Sequence, residues 1–181
     1  IPGSENKFES RVVVFDGPED YHARIEDPSL NIDESCLLAI RGCGPVGYPG
    51  SGEVVNMQPP ARLLQKGIKQ LPTMGDGRQS GTSASPSLLN ASPESAAGGN
   101  LALLQTDDTV RIDLNERTVT LMVSDEELVE RRRNYEPPEI TNETPWQEIY
   151  RDCVGQLATG GCFDFATNYH KVAEQVPRHN H

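Results

Sequence analysis

The sequence predicts an α+β domain of mixed, barrel-like build, and three features predict it. Short apolar runs of strand length recur between Val12 and Val123, glycine and proline interrupt them repeatedly, and the helices with clear start signals follow the strand-rich middle. A doubly wound sheet would instead alternate strand and helix regularly along the chain. At 181 residues the chain suits one domain with a real hydrophobic core. Aromatic residues make up only 6%, so aliphatic side chains must fill that core. Residues 1–181 are read as a single domain.

Residues 1–10 are polar and read as a loose N-terminal segment. Val12-Val13-Val14-Phe15 reads as a buried strand stopped by the turn Asp16-Gly17-Pro18. Pro18 can open a helix from Glu19 to Ile25, which Asp27-Pro28 ends. Cys36 to Ile40 is a second buried strand, followed by a glycine-rich loop from Gly42 to Gly52. Pro60 to Gly67 reads as a helix with a glycine near its C-terminal end. Leu71 to Met74 is a brief strand that leads into a second loop, Gly75 to Ser87. Residues 101–105, 109–114 and 117–123 are expected to form a run of strands. In the middle one Val110, Ile112 and Leu114 alternate with Arg111 and Asp113, the period of a half-buried strand.

Two helices then announce themselves by their starts. Ser124-Asp125-Glu126-Glu127 has capping-box spacing, and that helix should run to about Arg133. Residues 134–143 are a connector, and 144–181 a C-terminal helical segment. There Thr144-Pro145-Trp146-Gln147 combines proline at the first helical position with a second capping box, and the helix should end near Gly160-Gly161.

Composition excludes whole classes of function. A formal net charge of -11 opposes nucleic-acid binding, since a phosphate backbone would be repelled. The one dense basic run, Arg131-Arg132-Arg133, closes an acidic helix, where cations complement the helix dipole. No run of 18 apolar residues exists to span a membrane. The four cysteines, Cys36, Cys43, Cys153 and Cys162, form no CxxC pair and have no metal-site spacing with histidine. They read as reduced thiols of an intracellular protein, cytoplasmic or mitochondrial.

Two loops can carry chemistry. Gly42-Cys43-Gly44-Pro45-Val46-Gly47 fits the dinucleotide fingerprint G-x-G-x-x-G, but Tyr48-Pro49-Gly50-Ser51-Gly52 cannot propagate the helix that would bind pyrophosphate. The match is a decoy. What such a loop can do is let backbone approach a ligand, with Glu53 as the first ionisable group after it. On its own Glu53 reads as a solvated carboxylate or helix-start residue before it reads as a metal ligand. The second loop, Gly75-Asp76-Gly77-Arg78-Gln79-Ser80-Gly81-Thr82-Ser83, lacks the lysine and spacing of a phosphate-binding P-loop. Small hydroxyl residues between glycines expose N–H groups and hydroxyls together, as oxyanion sites require, although a helix-capping turn has the same composition.

Longer motifs resolve this ambiguity. Asp16-Gly17-Pro18-Glu19-Asp20-Tyr21-His22-Ala23-Arg24-Ile25, Gly44 to Gly50, Glu53-Val54-Val55-Asn56-Met57, Gly75 to Thr82, and Ala91-Ser92-Pro93-Glu94 with Gly98-Gly99 occur in order along the chain. Together they resemble the C-terminal domain of the dihydroxy-acid and sugar-acid dehydratase family. Tyr48-Pro49-Gly50 and Ser85 to Asn90 are similar to the sugar-acid branch, which dehydrates acids such as L-arabinonate or D-xylonate. Branched-chain dihydroxy-acid specificity is the alternative, and a stand-alone binding domain without activity is a rival of another class.

The resemblance implies a β/β/α swivelling domain with a central β-barrel and flanking helices. It implies loss of water from a 2,3-dihydroxy acid to give a 2-keto-3-deoxy acid, with Mg²⁺ and a 2Fe-2S cluster as cofactors. Ser80 matches the family's serine base, Thr82 a position that hydrogen-bonds substrate or Ser80, and Glu53 a carboxylate that ligates Mg²⁺. None of the four cysteines matches a cluster ligand, so the cluster and most Mg²⁺ ligands are expected in an N-terminal domain. The implied partners are that domain, a small acid substrate and further copies of the enzyme. Departures from the family pattern are Gly52, Ala84 and the turn Asp107-Asp108, the last expected to change only a hairpin.

Overall fold

The computed structural model of the chain describes residues 6–81 and 86–169, apart from the side chain of Thr167. Six strands form one mixed sheet in the order β4-β3-β2-β1-β5-β6. They are β1 (Lys7–Asp16), β2 (Cys36–Arg41), β3 (Thr73–Gly75), β4 (Ser87–Leu88), β5 (Thr109–Asp113) and β6 (Thr118–Leu121). The first four run parallel, whereas β5 joins β1 antiparallel and β6 closes a hairpin with β5. The sheet is curled into half a barrel. A closed central barrel is not formed by the described residues, because β4 and β6 lie at opposite edges.

Apolar patterning explains the middle of the sheet. β1 and β2 are flanked by strands and packed on both faces, so both read as continuous aliphatic runs. Val13, Phe15, Leu38 and Ile40 face one side, where Tyr21 of α1 (Gly17–Arg24) and Leu63 of α2 (Ala61–Gln65) pack on them. Val12, Val14, Leu37 and Ala39 face the other, against Leu101, Leu104, Val110 and Ile112. Successive residues of one strand thus serve two cores, as the twofold period of a strand requires.

Several expected elements shift. β1 starts at Lys7, so residues 7–10 are strand rather than loose segment, paired with β5 from Lys7↔Asp113 to Arg11↔Thr109. Residues 100–103 form a 3₁₀ helix, not the strand expected over 101–105. Leu101, Ala102, Leu103 and Leu104 are all buried, and so short a continuous apolar run has no period to separate strand from helix. Asp107 takes a left-handed φ of 77°. The Asp107-Asp108 turn also does more than shape a hairpin. Asp107 accepts from Arg11 at 2.6 Å, and Asp108 holds Arg131 of α3 (Asp125–Asn134) in a nearly buried ion pair at 2.6 Å.

The helix starts hold. Ser124 accepts from the Glu127 N–H, and at α4 (Pro145–Cys153) Thr144 and Gln147 form a complete capping box. α4 ends at Cys153, earlier than Gly160-Gly161, and a separate 3₁₀ turn follows at Leu157–Thr159. No described helix is long and apolar enough to cross a membrane.

Candidate functional site

The carboxyl ends of the parallel strands β1, β2 and β3 lead into α1 at Gly17 and into the loops that begin at Gly42 and Asp76. In open sheets with parallel strands, ligands bind at this end. Two buried carboxylates organise the loops. Asp76 accepts from the backbone N–H of Gly42 (3.0 Å), Cys43 (2.9 Å) and Ser95 (2.9 Å), and from the Ser95 hydroxyl (2.5 Å). Glu94 is fully buried and accepts from the N–H groups of Val46 and Gly47, each at 2.9 Å, and from Gln156 Nε2 at 2.8 Å.

These bonds settle the decoy fingerprint physically. The N–H groups that a dinucleotide loop would turn toward pyrophosphate are here consumed by the protein's own carboxylates. The loops also approach each other too closely for side chains. A Cβ at Gly77 would sit 2.2 Å from the Cys43 carbonyl oxygen, and one at Gly44 would sit 2.5 Å from Glu94 Oε2. Burial, with the Asp76 charge beside it, pushes the Cys43 thiol up to about 12, so it stays protonated and inert.

The two loops singled out from sequence meet along one edge. Glu53 forms an isolated parallel bridge with Arg78, and the Val54 N–H donates to the Arg78 carbonyl at 3.2 Å. Arg78 Nε donates to the Ser51 carbonyl at 2.8 Å. Further along, Gly81, at φ +67°, lies against Asn56: a Cβ there would meet its Nδ2 at 2.5 Å. Residues 53–56 therefore run beside 78–81. Glu53 is exposed and Ser80 half-buried on these apposed segments; Thr82 lies outside the described residues.

Gln79, immediately before Ser80, is buried, and among the described residues neither amide atom has a hydrogen-bond partner. From the far side α4 braces the first loop. Tyr150 Oη lies 3.1 Å from Ser51 Oγ, and Arg151 Nε donates to the Val46 carbonyl at 2.8 Å.

As a metal ligand, Glu53 fits in part. It is an oxygen donor open to solvent, and Mg²⁺ characteristically takes one or two carboxylates and fills its octahedron with water and substrate oxygens. Among the described residues no group of three or more His, Cys, Asp or Glu side chains could hold a metal on its own. An iron–sulfur cluster does not fit the cysteines of this chain: all four are free, Cys36 and Cys43 are buried, and they gather at no common point that could hold a metal.

Sequence reasoning missed Asp76, Glu94 and Gln156. For Asp76 a faint signal existed: an acidic residue between two glycines, where bare N–H groups need an acceptor. Glu94 stood at the end of a motif that carries the resemblance, but its role as acceptor, like that of Gln156, has no local signal because the partners are distant in sequence.

The half-barrel α+β domain thus carries a carboxylate, Glu53, and a serine, Ser80, on apposed segments. The profile of the dihydroxy-acid/6-phosphogluconate dehydratase C-terminal domain matches residues 2–161, and the chain belongs to this family. It is 58% identical over 180 residues to a D-xylonate dehydratase of Caulobacter vibrioides, covering 99% of this chain and 30% of that protein. An L-arabinonate dehydratase of Rhizobium leguminosarum bv. trifolii is 39% identical over 86% of this chain and 27% of its own length. A dihydroxy-acid dehydratase of Clostridium beijerinckii is 38% identical over 75% of this chain and 24% of its own length. The chain thus spans under a third of the relatives it matches.

Proposed function

We propose that this chain is the C-terminal domain of a hydro-lyase that dehydrates a sugar acid such as D-xylonate or L-arabinonate to a 2-keto-3-deoxy acid. The observation that carries the reading is the apposition of the Glu53 and Ser80 segments at the carboxyl ends of the parallel strands. The 58% identity to a D-xylonate dehydratase supports the sugar-acid branch over the branched-chain one.

Ser80, as alkoxide, takes the proton from C2 and the C3–O bond breaks. The departing hydroxide leaves as water with the proton that Ser80 returns. The enol tautomerises to the 2-keto acid as its O–H proton is replaced by one on C3. A serine hydroxyl is too weak an acid to act as base unaided, so its alkoxide needs a cation and N–H donors nearby. Glu53 would hold Mg²⁺, which supplies Lewis acidity toward substrate oxygen when bound. Thr82 hydrogen-bonds substrate or Ser80. The 2Fe-2S cluster belongs to an N-terminal domain of the same polypeptide, and copies of the whole enzyme associate.

The N-terminal domain would also cover the exposed apolar side chains of the C-terminal segment. Trp146 is 78% exposed, Ile149 50% and Phe165 48%, a face suited to being covered by the N-terminal domain. The finer fold reading is the β/β/α swivelling domain, whose barrel closes only in the complete protein. Four free cysteines support a reducing, cytoplasmic setting, and nothing favours a mitochondrial one.

The test is an anaerobic 2-keto-acid assay on the longer polypeptide with Mg²⁺. D-xylonate or L-arabinonate should turn over faster than 2,3-dihydroxy-3-methylbutanoate. Preference for the branched-chain acid would overturn the branch, and no turnover of any acid would overturn the reaction.

A further inference from the structure

We propose that Arg78 anchors the carboxylate of the substrate, an assignment that rests on the acid-dehydratase reading above. Arg78 is the bridge partner of Glu53 and stands two residues before Ser80, so it lies at the junction of both candidate site segments. Its backbone carbonyl and its Nε are already committed, to the Val54 N–H and to the Ser51 carbonyl. Those bonds fix the stem of the side chain and leave the two terminal nitrogens of an exposed guanidinium without a carboxylate partner among the described residues.

Five of the eleven described arginines hold a carboxylate, and Arg78 is among the six that do not. The net charge is -11, and Arg11, Arg24, Arg41, Arg111 and Arg131 each hold a carboxylate. The other arginines at this end of the sheet are spent: Arg41 on Asp16 and the carbonyls of Ala102 and Leu104, Arg151 on the carbonyls of Val46 and Thr141. Even Glu53, its neighbour across the bridge, forms no ion pair with Arg78. The two residues pair through their backbones, and neither side chain is in an ion pair with a described residue.

The chemistry of the substrate matches what is left over. A sugar acid is an anion at neutral pH, and its carboxylate accepts two parallel hydrogen bonds from a guanidinium fork. Pre-fixing the stem lowers the entropy lost when the ligand binds. The carboxylate carbon is bonded to C2, the carbon that loses its proton. An anchor two residues from Ser80 therefore delivers that proton to the base.

The competing account makes Arg78 a brace that merely ties Ser51 to the second loop. Isothermal titration of the longer holoprotein separates the two, using D-xylonate and its neutral primary amide against wild type, Arg78→Gln and Arg78→Lys. Urea midpoints confirm that the variants are folded. The anchor account expects Arg78→Gln to weaken D-xylonate binding by on the order of 100-fold. Amide binding should change less than threefold, and Arg78→Lys should recover only part of the acid affinity. Equal loss for acid and amide would establish the brace, and unchanged acid binding would remove Arg78 from recognition; either overturns the proposal. Wild type that binds D-xylonate without dehydrating it would sink the reaction reading and leave Arg78 judged by the same titration. Wild type that binds no acid overturns both.

Discussion

Cys43 shows how one buried residue sets a pH limit on the whole fold. Its thiol sits on the first loop beside Asp76, fully buried, and burial raises its pKa from an ordinary 9.0 to about 12. Below pH 9 the thiol is protonated in both folded and unfolded chains, so it costs nothing. Between about 9 and 12 only the unfolded chain ionises, which favours unfolding by up to about 1.4 kcal/mol per pH unit. Urea midpoints should therefore fall more steeply above pH 9 for wild type than for Cys43→Ala. Parallel slopes would mean that Cys43 ionises freely in the folded protein. Other single residues were less legible beforehand. Ser80 and Glu53 stand out only through the family resemblance, and the burial of acids such as Glu94 is not written in the linear sequence at all.

Among elements, legibility followed locality. The capping box at Thr144 and Gln147 and the aliphatic runs of β1 and β2 are written in adjacent residues, and they form as expected. The 3₁₀ helix at Asn100–Leu103 was read as strand because four successive buried side chains carry no period. The junction of the two loops is non-local, bonding residues 24 or more apart by way of Gly42, Cys43, Val54 and Ser51, and no spacing rule reports it. Asp76 is the residue on which that junction depends most. Asp76→Ala would strip the acceptor from the N–H groups of Cys43 and Ser95 and from the Ser95 hydroxyl, while the Gly42 N–H keeps Ser95 Oγ at 2.8 Å. Each orphaned donor costs about 1–3 kcal/mol unless water reaches it, so the expected loss is at least ~3 kcal/mol. A loss below ~1 kcal/mol in urea denaturation would show that the loops are held by packing alone.

At the scale of the molecule, the α+β class and the two glycine-rich loops are what the structure shares with the sequence reading, while the closed barrel is not reached. β4 and β6 remain edges, and the described segment from Leu114 to Tyr169 contains no buried residue. Both facts suit a domain that spans under a third of its relatives and completes its site with other parts of the protein. The account turns on Ser80 as the base in that completed site. The most direct test is turnover of D-xylonate by the longer holoprotein carrying Ser80→Ala, with D-xylonate affinity measured alongside. The account predicts a rate lowered by roughly 10²–10⁴-fold with affinity largely kept, as expected for removal of a general base. A rate within tenfold of wild type would contradict it.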